Sequence, residues 1–505
     1  MEPARRVLSN TSTRSYLEKE LILSLDNEGP MIGPNLETMD THHQEDRDTI
    51  VEKTQNFWWK MSQDKTLDPK QLPPIKKNII LLVVAISGSI SPVSSTLYYP
   101  ALVTMQYALH TTATAMNASL SIFTFFTAFF PLVWATFGDR FGRRRIYIIS
   151  FFIALLGSIC CALSVNAEMF IVFRAFSAIG SSSAMSMGAG TIADIFEPHE
   201  RGKAFAYYTC GPLLGPAIGP IVGGYLNQGL GWRSNFWFLS IFILFLWLGI
   251  LFLLPETWRA TEKVSNDSED QKTKKRNFVN PVGALKLLLY PNIALTVAFT
   301  SILFFALYLN NTTFTRTYTL QYGFDSGIVG ICYLPNAAGS MLGGILGGRM
   351  SDKVYNKSLN KAKANNQEIY PEMRLGSFLF YSMILLQLVA FIAYGWCLEK
   401  NVHFAYGLVC QFFIGFALMF PNVTLNAYMV DCFRKQGASV TACNNFARYI
   451  MAGIGSLIST DINNAMGSGV LFTFCGALLL IFSFGLIIVK KYTHKWAALR
   501  ANQAA

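Results

Sequence analysis

The chain has 505 residues, of which 52% are hydrophobic and 14% are charged, and its mean hydropathy is positive. This composition argues against a soluble multidomain enzyme and indicates a membrane protein. The formal net charge is +11. Because the basic residues follow membrane topology, as described below, the charge does not indicate a nucleic-acid partner.

Twelve stretches have the roughly 20 apolar residues that a membrane-spanning helix needs. The sequence therefore predicts an all-α polytopic membrane protein. The twelve predicted spans are 78–98, 117–137, 146–165, 169–193, 204–226, 234–254, 292–313, 326–347, 375–397, 403–427, 438–460 and 468–489.

The distribution of lysine and arginine predicts the orientation of these spans. Residues 1–77 hold no apolar core of signal-peptide length, so we expect a disordered tail that stays in the cytoplasm. An even number of spans returns the tail at 491–505 to the same side. The basic residues outside the spans fall on that side except Arg233, Arg316 and Lys400, as the positive-inside rule requires.

A weak internal repeat divides the spans into two sets of six. Asp139 follows span 2, and Asp352 follows span 8 in a similar context. A polar central loop at 255–291 separates a predicted bundle at 78–254 from a second at 292–490. Two related six-span bundles are typical of carriers that bind substrate near the midplane.

Span 5 carries glycine at every fourth residue, at Gly211, Gly215, Gly219 and Gly223, and proline follows the first three. On a helix this spacing makes one bare stripe beside a second stripe that cannot donate backbone hydrogen bonds. Small residues let membrane helices approach closely. Helix packing alone is the simpler interpretation, but the added prolines favour a deformable helix where the two bundles meet. The prolines are Pro212, Pro216 and Pro220.

Two of these patterns resemble motifs of the major facilitator superfamily. Phe137–Arg145 is similar to the signature loop between spans 2 and 3, and Gly211–Pro220 is similar to the antiporter motif of the twelve-span drug:proton exporters. The resemblance covers about residues 78–495. It implies twelve transmembrane helices in two pseudo-symmetric six-helix bundles.

Further motifs narrow the resemblance to a fungal branch that contains quinidine-resistance, polyamine and dityrosine exporters. They lie in span 4, between spans 4 and 5, and at the end of span 6. The segments are Arg174–Gly180, Ala189–Asp194, His199–Gly202 and Leu254–Thr257.

The resemblance implies gating residues where spans 2 and 4 meet the cytosol. We expect Arg140 to join the carboxylates of Asp139 and Asp194 in a cluster that latches the outward-facing state. Breaking such a charged hydrogen bond costs roughly 1.5 to 3 kcal/mol. The rest of the signature loop, including Gly142, Arg143 and Arg144, belongs to the same gating motif, although for Arg143, Arg144 and Arg145 a role as topology anchors is the simpler interpretation.

Arg174 lies inside span 4, where the resemblance links it to proton transfer. A snorkelling anchor at the membrane surface is the alternative. No carboxylate lies in the middle of spans 1, 4, 5, 7 or 8. Coupling therefore runs through Asp139, Asp194 and Arg174, or the protein is a facilitator without proton coupling.

Polar and aromatic residues inside apolar spans are candidates for substrate contact, although each one alone is more often a link between helices. Few carboxylates accompany them, so the set suits amphipathic or zwitterionic molecules, and Arg174 and Arg448 favour some negative charge. The candidates are Tyr98, Tyr99, Tyr308, Asn310, Asn311, Tyr333, Asn422, Asn426, Asn445 and Arg448.

Together these features predict a proton-linked exporter of small organic molecules such as drugs, polyamines, or amino-acid-like and dityrosine-like compounds. We expect a monomer in the plasma membrane, or in an internal membrane, that uses the proton gradient and no cofactor or metal. The alternative is a proton-independent uniporter or importer of a small nutrient. The repeated loop argues against a receptor. An enzyme is disfavoured because the sequence has no nucleophile elbow, phosphate loop or metal-ligand cluster.

Overall fold

The apolar stretches of the sequence form long helices joined by short connections. The computed structural model describes residues 69–197, 199–257, 281–366, 368–433 and 436–502. Most of the predicted N-terminal tail and central loop therefore lies outside the described residues. The helices are α1 (Pro74–Thr96), α2 (Ala113–Phe141), α3 (Arg143–Leu163), α4 (Ala167–Ile195), α5 (Arg201–Leu230), α6 (Arg233–Leu253), α7 (Pro291–Leu320), α8 (Ser326–Ala364), α9 (Phe378–Glu399), α10 (Phe404–Cys432), α11 (Gly437–Met466) and α12 (Ser468–Lys491).

Several helices extend beyond the apolar spans that predicted them. Helix α1 begins at Pro74, inside the predicted tail, because proline fits the first turn of a helix. Helix α7 continues to Leu320, and α8 continues through a polar stretch to Ala364. A helix satisfies its own backbone groups, so it continues until a turn signal or the membrane surface ends it.

Ten of the described helices are long and apolar enough to cross a membrane. Helices α5 and α11, with 30 residues each, are not among the ten. Glycine and proline interrupt the apolar sequence of α5, although its helix is continuous, and α11 carries Asn444, Asn445 and Arg448. Both helices face the other half of the molecule, where polar groups contact protein or a cavity rather than lipid.

The packing of the helices repeats after six. Helices α1–α6, the first half, contain the pairs α1 with α5, α3 with α4 and α3 with α6. Helices α7–α12, the second half, contain α7 with α11, α9 with α10 and α9 with α12. Each pair of the first half therefore has its counterpart six helices later, which confirms the predicted pseudo-symmetric architecture.

Two helix pairs join the halves: α2 packs on α11, and α5 packs on the first part of α8. A side chain on Gly224 of α5 would collide with the carbonyl of Ser326, and one on Gly330 of α8 would collide with the carbonyl of Pro220. Helices α5 and α8 thus approach each other backbone to backbone near the C-terminal end of α5.

The glycine stripe of α5 packs on α1, within the first half. Side chains added at Gly211 or Gly223 would overlap the backbone of α1 at Ala85 and Leu97. The neighbouring prolines face a cavity between the halves. Helix α5 therefore lies at the junction, as predicted, with its glycines toward its own half.

Gly223→Ala and Gly229→Ala test this close approach on the same helix. The new methyl group at position 223 meets the Leu97 carbonyl, whereas nothing lies within 4 Å at position 229. We expect Gly223→Ala to destabilise the protein by about 1–3 kcal/mol, the usual cost of overpacking. Gly229→Ala should keep or raise stability because alanine favours helix. Thermal unfolding of the two purified variants measures the difference, and equal melting temperatures would contradict the packing argument.

Candidate functional site

An arginine between two carboxylates lies at one end of the first half. Arg143, at the start of α3, places Nε 2.5 Å from Oδ2 of Asp194 and Nη2 3.3 Å from Oδ1 of Asp139. The Arg143 side chain is only 11% exposed, while Asp139 is 62% exposed. Asp194 is therefore the stronger partner, because solvent weakens the attraction to Asp139. We call these three residues the Arg143 cluster and this end of the molecule the Arg143 end.

Two glycines make room for the Arg143 cluster. Gly142 has φ +97°, which favours glycine, and the carboxylate of Glu256 occupies the place of a side chain there. The same carboxylate accepts a hydrogen bond of 2.9 Å from the backbone N–H of Arg143. The Arg143 guanidinium occupies the place of a side chain at Gly190. Glu256 joins the end of α6 to this loop, a role that the sequence did not predict.

Arg143, and not Arg140 as expected from the sequence, lies between the two carboxylates in this structure. Helix α2 ends at Phe141 and the chain turns at Gly142, so position 143 faces α4. The Arg140 side chain is exposed and lies over the Phe141 ring at 5.3 Å. Arg144 donates a hydrogen bond of 2.8 Å to the carbonyl of Leu251 in α6.

The second half contains a counterpart that sequence reasoning missed. Arg374 precedes α9 and donates hydrogen bonds of 2.7 Å to Asp352 and 2.6 Å to Asp431. Asp431 lies at the end of α10, as Asp194 lies at the end of α4, whereas Asp352 lies within α8, which continues to Ala364. Burial lowers the pKa of Arg374, but the two carboxylates outweigh this and hold its pKa above the ordinary value. The position of Arg374 just before α9, like that of Arg143 at the start of α3, was the available signal.

Arg174 of α4 is fully buried. Its guanidinium lies between the rings of Tyr98 and Phe123, at 4.4 and 4.1 Å from their centroids. Nη1 donates a weak hydrogen bond of 3.4 Å to Oγ of Ser94, and Nε and Nη2 have no partner among the described residues. Burial of this depth rules out the surface-anchor alternative, since a snorkelling side chain keeps its charge in solvent.

Arg316 joins the halves at the opposite end, which we call the Arg316 end. Its guanidinium donates hydrogen bonds of 2.7 Å to Gln106, 3.1 Å to the Ala113 carbonyl and 3.3 Å to Asn117. Asn117 in turn donates a hydrogen bond of 2.7 Å to Thr460 of α11. Arg316, in the second half, thus holds the start of α2 against the ends of α7 and α11, and this end is closed.

A cavity of about 280 Å³ lies between the halves, and both halves line it. Toward the Arg316 end it is bounded by the stacked rings of Tyr99 and Tyr333, one from each half, with centroids 6.1 Å apart. Both rings are buried, whereas Leu213 and Met341 on the walls are more exposed. The volume is near the lower end of the range for small-molecule sites.

Of the ten predicted substrate residues, six line this cavity and four do not. Tyr98 contacts Ser119 and Arg174. Asn310 is hydrogen-bonded to Gln411, and Asn426 and Asn445 accept hydrogen bonds from other polar side chains. The six that line it are Tyr99, Tyr308, Asn311, Tyr333, Asn422 and Arg448. The cavity is also lined by Ser95, Phe123, Phe304, Asn336 and Tyr449, and by the motif prolines Pro212, Pro216 and Pro220.

The architecture and comparison with known proteins agree on the class. The Major Facilitator Superfamily pattern matches residues 84–456. The chain belongs to this superfamily, and it is an integral membrane transporter rather than an enzyme.

Curated relatives confirm the predicted fungal branch. The chain is 26% identical to the MFS antiporter QDR3 of Candida albicans, over 84% of this chain and 79% of the relative. It is 31% identical to dityrosine transporter 1 of Saccharomyces cerevisiae, over 83% and 80%. Quinidine resistance protein 3 of the same yeast is 24% identical, over 85% and 84%.

A solved structure shares the fold at low sequence identity. It is a bacterial homologue of the human lysosomal transporter Spinster, in an inward-facing and unoccupied conformation. It matches with a TM-score of 0.62 and 16% identity over 85% of this chain and 96% of that one.

Arg143→Gln and Arg140→Gln form a matched pair that tests the ionic cluster. Arg143 holds two carboxylates, whereas Arg140 has an exposed guanidinium over one ring. Leaving Asp194 without its charged partner should cost roughly 1 to 3 kcal/mol, so we expect a lower melting temperature and slower transport for Arg143→Gln. Arg140→Gln should resemble wild type. Equal effects of the two substitutions would show that Arg143 has no special role.

Arg316→Gln should loosen the Arg316 end. Oγ of Ser121 and Oγ of Ser456 lie 3.3 Å apart across the halves, so the cysteine pair Ser121→Cys and Ser456→Cys should cross-link. With a protease site inserted between residues 258 and 280, cross-linked halves stay together on a denaturing gel after cleavage. We expect Arg316→Gln to lower the cross-linked fraction at least twofold. Arg233→Gln is the control, because Arg233 bonds Ser164 within the first half. An unchanged fraction in Arg316→Gln would remove its role in closure.

Proposed function

We propose that the protein is a secondary active transporter that exports small organic molecules by proton antiport with alternating access. The observation that carries the proposal is a cavity walled by both halves and closed at the Arg316 end by contacts between them. Rocking of two pseudo-symmetric halves about such a cavity exposes it to one side at a time. The names of the relatives, an antiporter, a dityrosine transporter and a quinidine-resistance protein, support export of organic molecules.

The two ends have different roles in this cycle. Opening the Arg316 end breaks the hydrogen bonds of Arg316 to Gln106 and Asn117. At the other end, each arginine cluster stays within its own half, so it ties the ends of three helices and lets the half move as a body. Closing the Arg143 end brings the Arg143 cluster against the second half, and we propose that this new contact latches the outward-facing state.

Proton coupling runs through groups outside the cavity. Among the described residues that line the cavity there is no carboxylate. Asp194, which is 25% exposed and bonded to Arg143, is the group we propose to titrate, with Asp139 and Arg174 assisting. Protonation of Asp194 removes its attraction to Arg143 and releases the end of α4.

The orientation follows from the basic residues. The Arg143 end, with its many lysines and arginines, faces the cytoplasm, and both termini lie on that side. We place the protein in the plasma membrane as a monomer. The alternative function is a proton-independent uniporter or importer of a small nutrient, which the lack of a lining carboxylate favours.

Liposomes with an imposed pH gradient test this proposal. We expect the protein to move at least one of quinidine, spermidine, tyrosine and dityrosine against its concentration gradient, and we expect a protonophore to abolish the accumulation. Asp194→Asn should move the same compound only down its gradient. Transport by the wild type that ignores the pH gradient would favour the uniporter. No transport of any of the four would contradict export of these classes.

A further inference from the structure

The cavity between the halves has an unusual charge balance. Of the described side chains that line it, only Arg448 carries a charge. The remaining lining side chains are aromatic, aliphatic, thioether, hydroxyl or amide groups. An organic cation in this cavity therefore meets a like charge and no carboxylate, whereas an anion meets a counter-ion.

Arg448 is built into the wall in a way that leaves it able to bind a ligand. Its Nη2 donates a hydrogen bond of 2.6 Å to Oδ1 of Asn445, and its Nη1 makes a marginal contact of 3.5 Å with Oδ1 of Asn422. The guanidinium lies over the Phe304 ring at 4.2 Å. Nε has no hydrogen-bond partner among the described residues. Amide oxygens thus orient the guanidinium without neutralising it.

A second cation lies behind the opposite wall. The guanidinium of Arg174 packs on one face of Phe123, a ring that lines the cavity from α2. Among the described residues, no carboxylate lies within 4.0 Å of Arg174 or Arg448. Two uncompensated positive charges in an interior of low dielectric raise the potential between them, since charges interact more strongly there than in water.

The rest of the wall fits flat rings. Tyr99 and Tyr333 bound one end of the cavity, and Phe304 and Tyr449 flank Arg448. Aromatic rings pair with one another in stacked or edge-on arrangements. A volume of about 280 Å³ suits a molecule of one or two rings rather than a long polyamine.

We infer that the cargo is an aromatic organic anion whose carboxylate binds the Arg448 guanidinium between the two halves. This rests on the proposed function, since it takes the cavity to be the place where cargo binds. It goes further in naming the charge and shape of the cargo, and in making Arg448 the residue that sets charge preference.

Three probes of similar shape and different charge test the inference with the purified full-length protein. They are N-acetyltyrosine, an anion at neutral pH, its neutral amide N-acetyltyrosinamide, and the cation tyramine. Ligand-dependent thermal stabilisation gives an apparent Kd for each. We expect the anion to bind at least tenfold more tightly than the amide, and tyramine to bind most weakly. Tyramine binding as tightly as the anion, equal affinities for all three, or no binding of any would overturn the inference.

Variants at Arg448 locate the preference. Arg448→Gln should weaken binding of N-acetyltyrosine roughly tenfold or more, the usual effect of losing a charged hydrogen bond, and change binding of the amide less than twofold. Arg448→Lys keeps the charge without the planar fork, so it should retain part of the preference. Arg349→Gln, at an exposed arginine of α8 away from the cavity, is the control. An unchanged preference in Arg448→Gln would overturn the assignment. If Arg448→Gln fails to fold, the affinities of Arg448→Lys and of the wild type for the three probes still test the inference.

The liposome assay separates failure of this inference from failure of the proposed function. Gradient-driven export of quinidine or spermidine together with exclusion of N-acetyltyrosine would contradict the anion and leave the exporter in place. Saturable binding of N-acetyltyrosine with no transport of any compound would contradict the exporter and leave the binding site.

Discussion

The close approach of α5 to α1 is the constraint on which the rest of the structure depends. Glycine at every fourth residue removes the side chains of α5 from the face toward α1, so α5 lies deep against its own half. That depth directs Pro212, Pro216 and Pro220 toward the cavity. It also brings Gly224 against α8 of the other half. Helix α5 thus fixes the spacing between α1 and α5, forms part of the cavity wall and packs against the other half.

The two ends of the molecule differ in the partners of their arginines. At the Arg143 end, carboxylates flank both Arg143 and Arg374, and the resulting clusters stay within their halves. At the Arg316 end, one arginine bonds only neutral oxygens, and it does so across the halves. Only the arginine is charged in these hydrogen bonds, so they lack the attraction between opposite charges that strengthens the two clusters. In the proposed transport cycle, the contacts that break at the Arg316 end are therefore the weaker ones.

The sequence predicted the helices and the class well because both depend on local patterns. Apolar stretches of the right length define spans wherever they occur, and the glycine and proline spacing of α5 is visible in the letters alone. Six of the residues predicted to contact substrate line the cavity for a similar reason, since tyrosine and asparagine inside an apolar span are favoured beside a cavity or another polar group. Which partner each one meets depends on helix rotation, and periodicity alone does not fix that rotation between neighbouring helices.

The structure differs from the sequence-based expectation where a turn sets the direction of a side chain. Helix α1 ends at Thr96 and a 3-10 turn follows at Tyr99–Ala101, so Tyr98 points to Arg174 while its neighbour Tyr99 points into the cavity. The turn at Gly142 likewise directs Arg143, and not Arg140, toward Asp139 and Asp194. Arg316 was counted as a loop charge because the apolar part of its span stops before α7 ends. Only tertiary contacts resolve such cases.

The stacked pair of Tyr99 and Tyr333 has a consequence for the energetics of the cycle. Each ring belongs to a different half, so an empty protein that opens at the Arg316 end must part them and expose two faces to water. A flat molecule held between them would supply a new partner to each face. In the proposed cycle, such a molecule would lower the barrier to reorientation of the loaded protein relative to the empty one, and this difference would limit futile turnover.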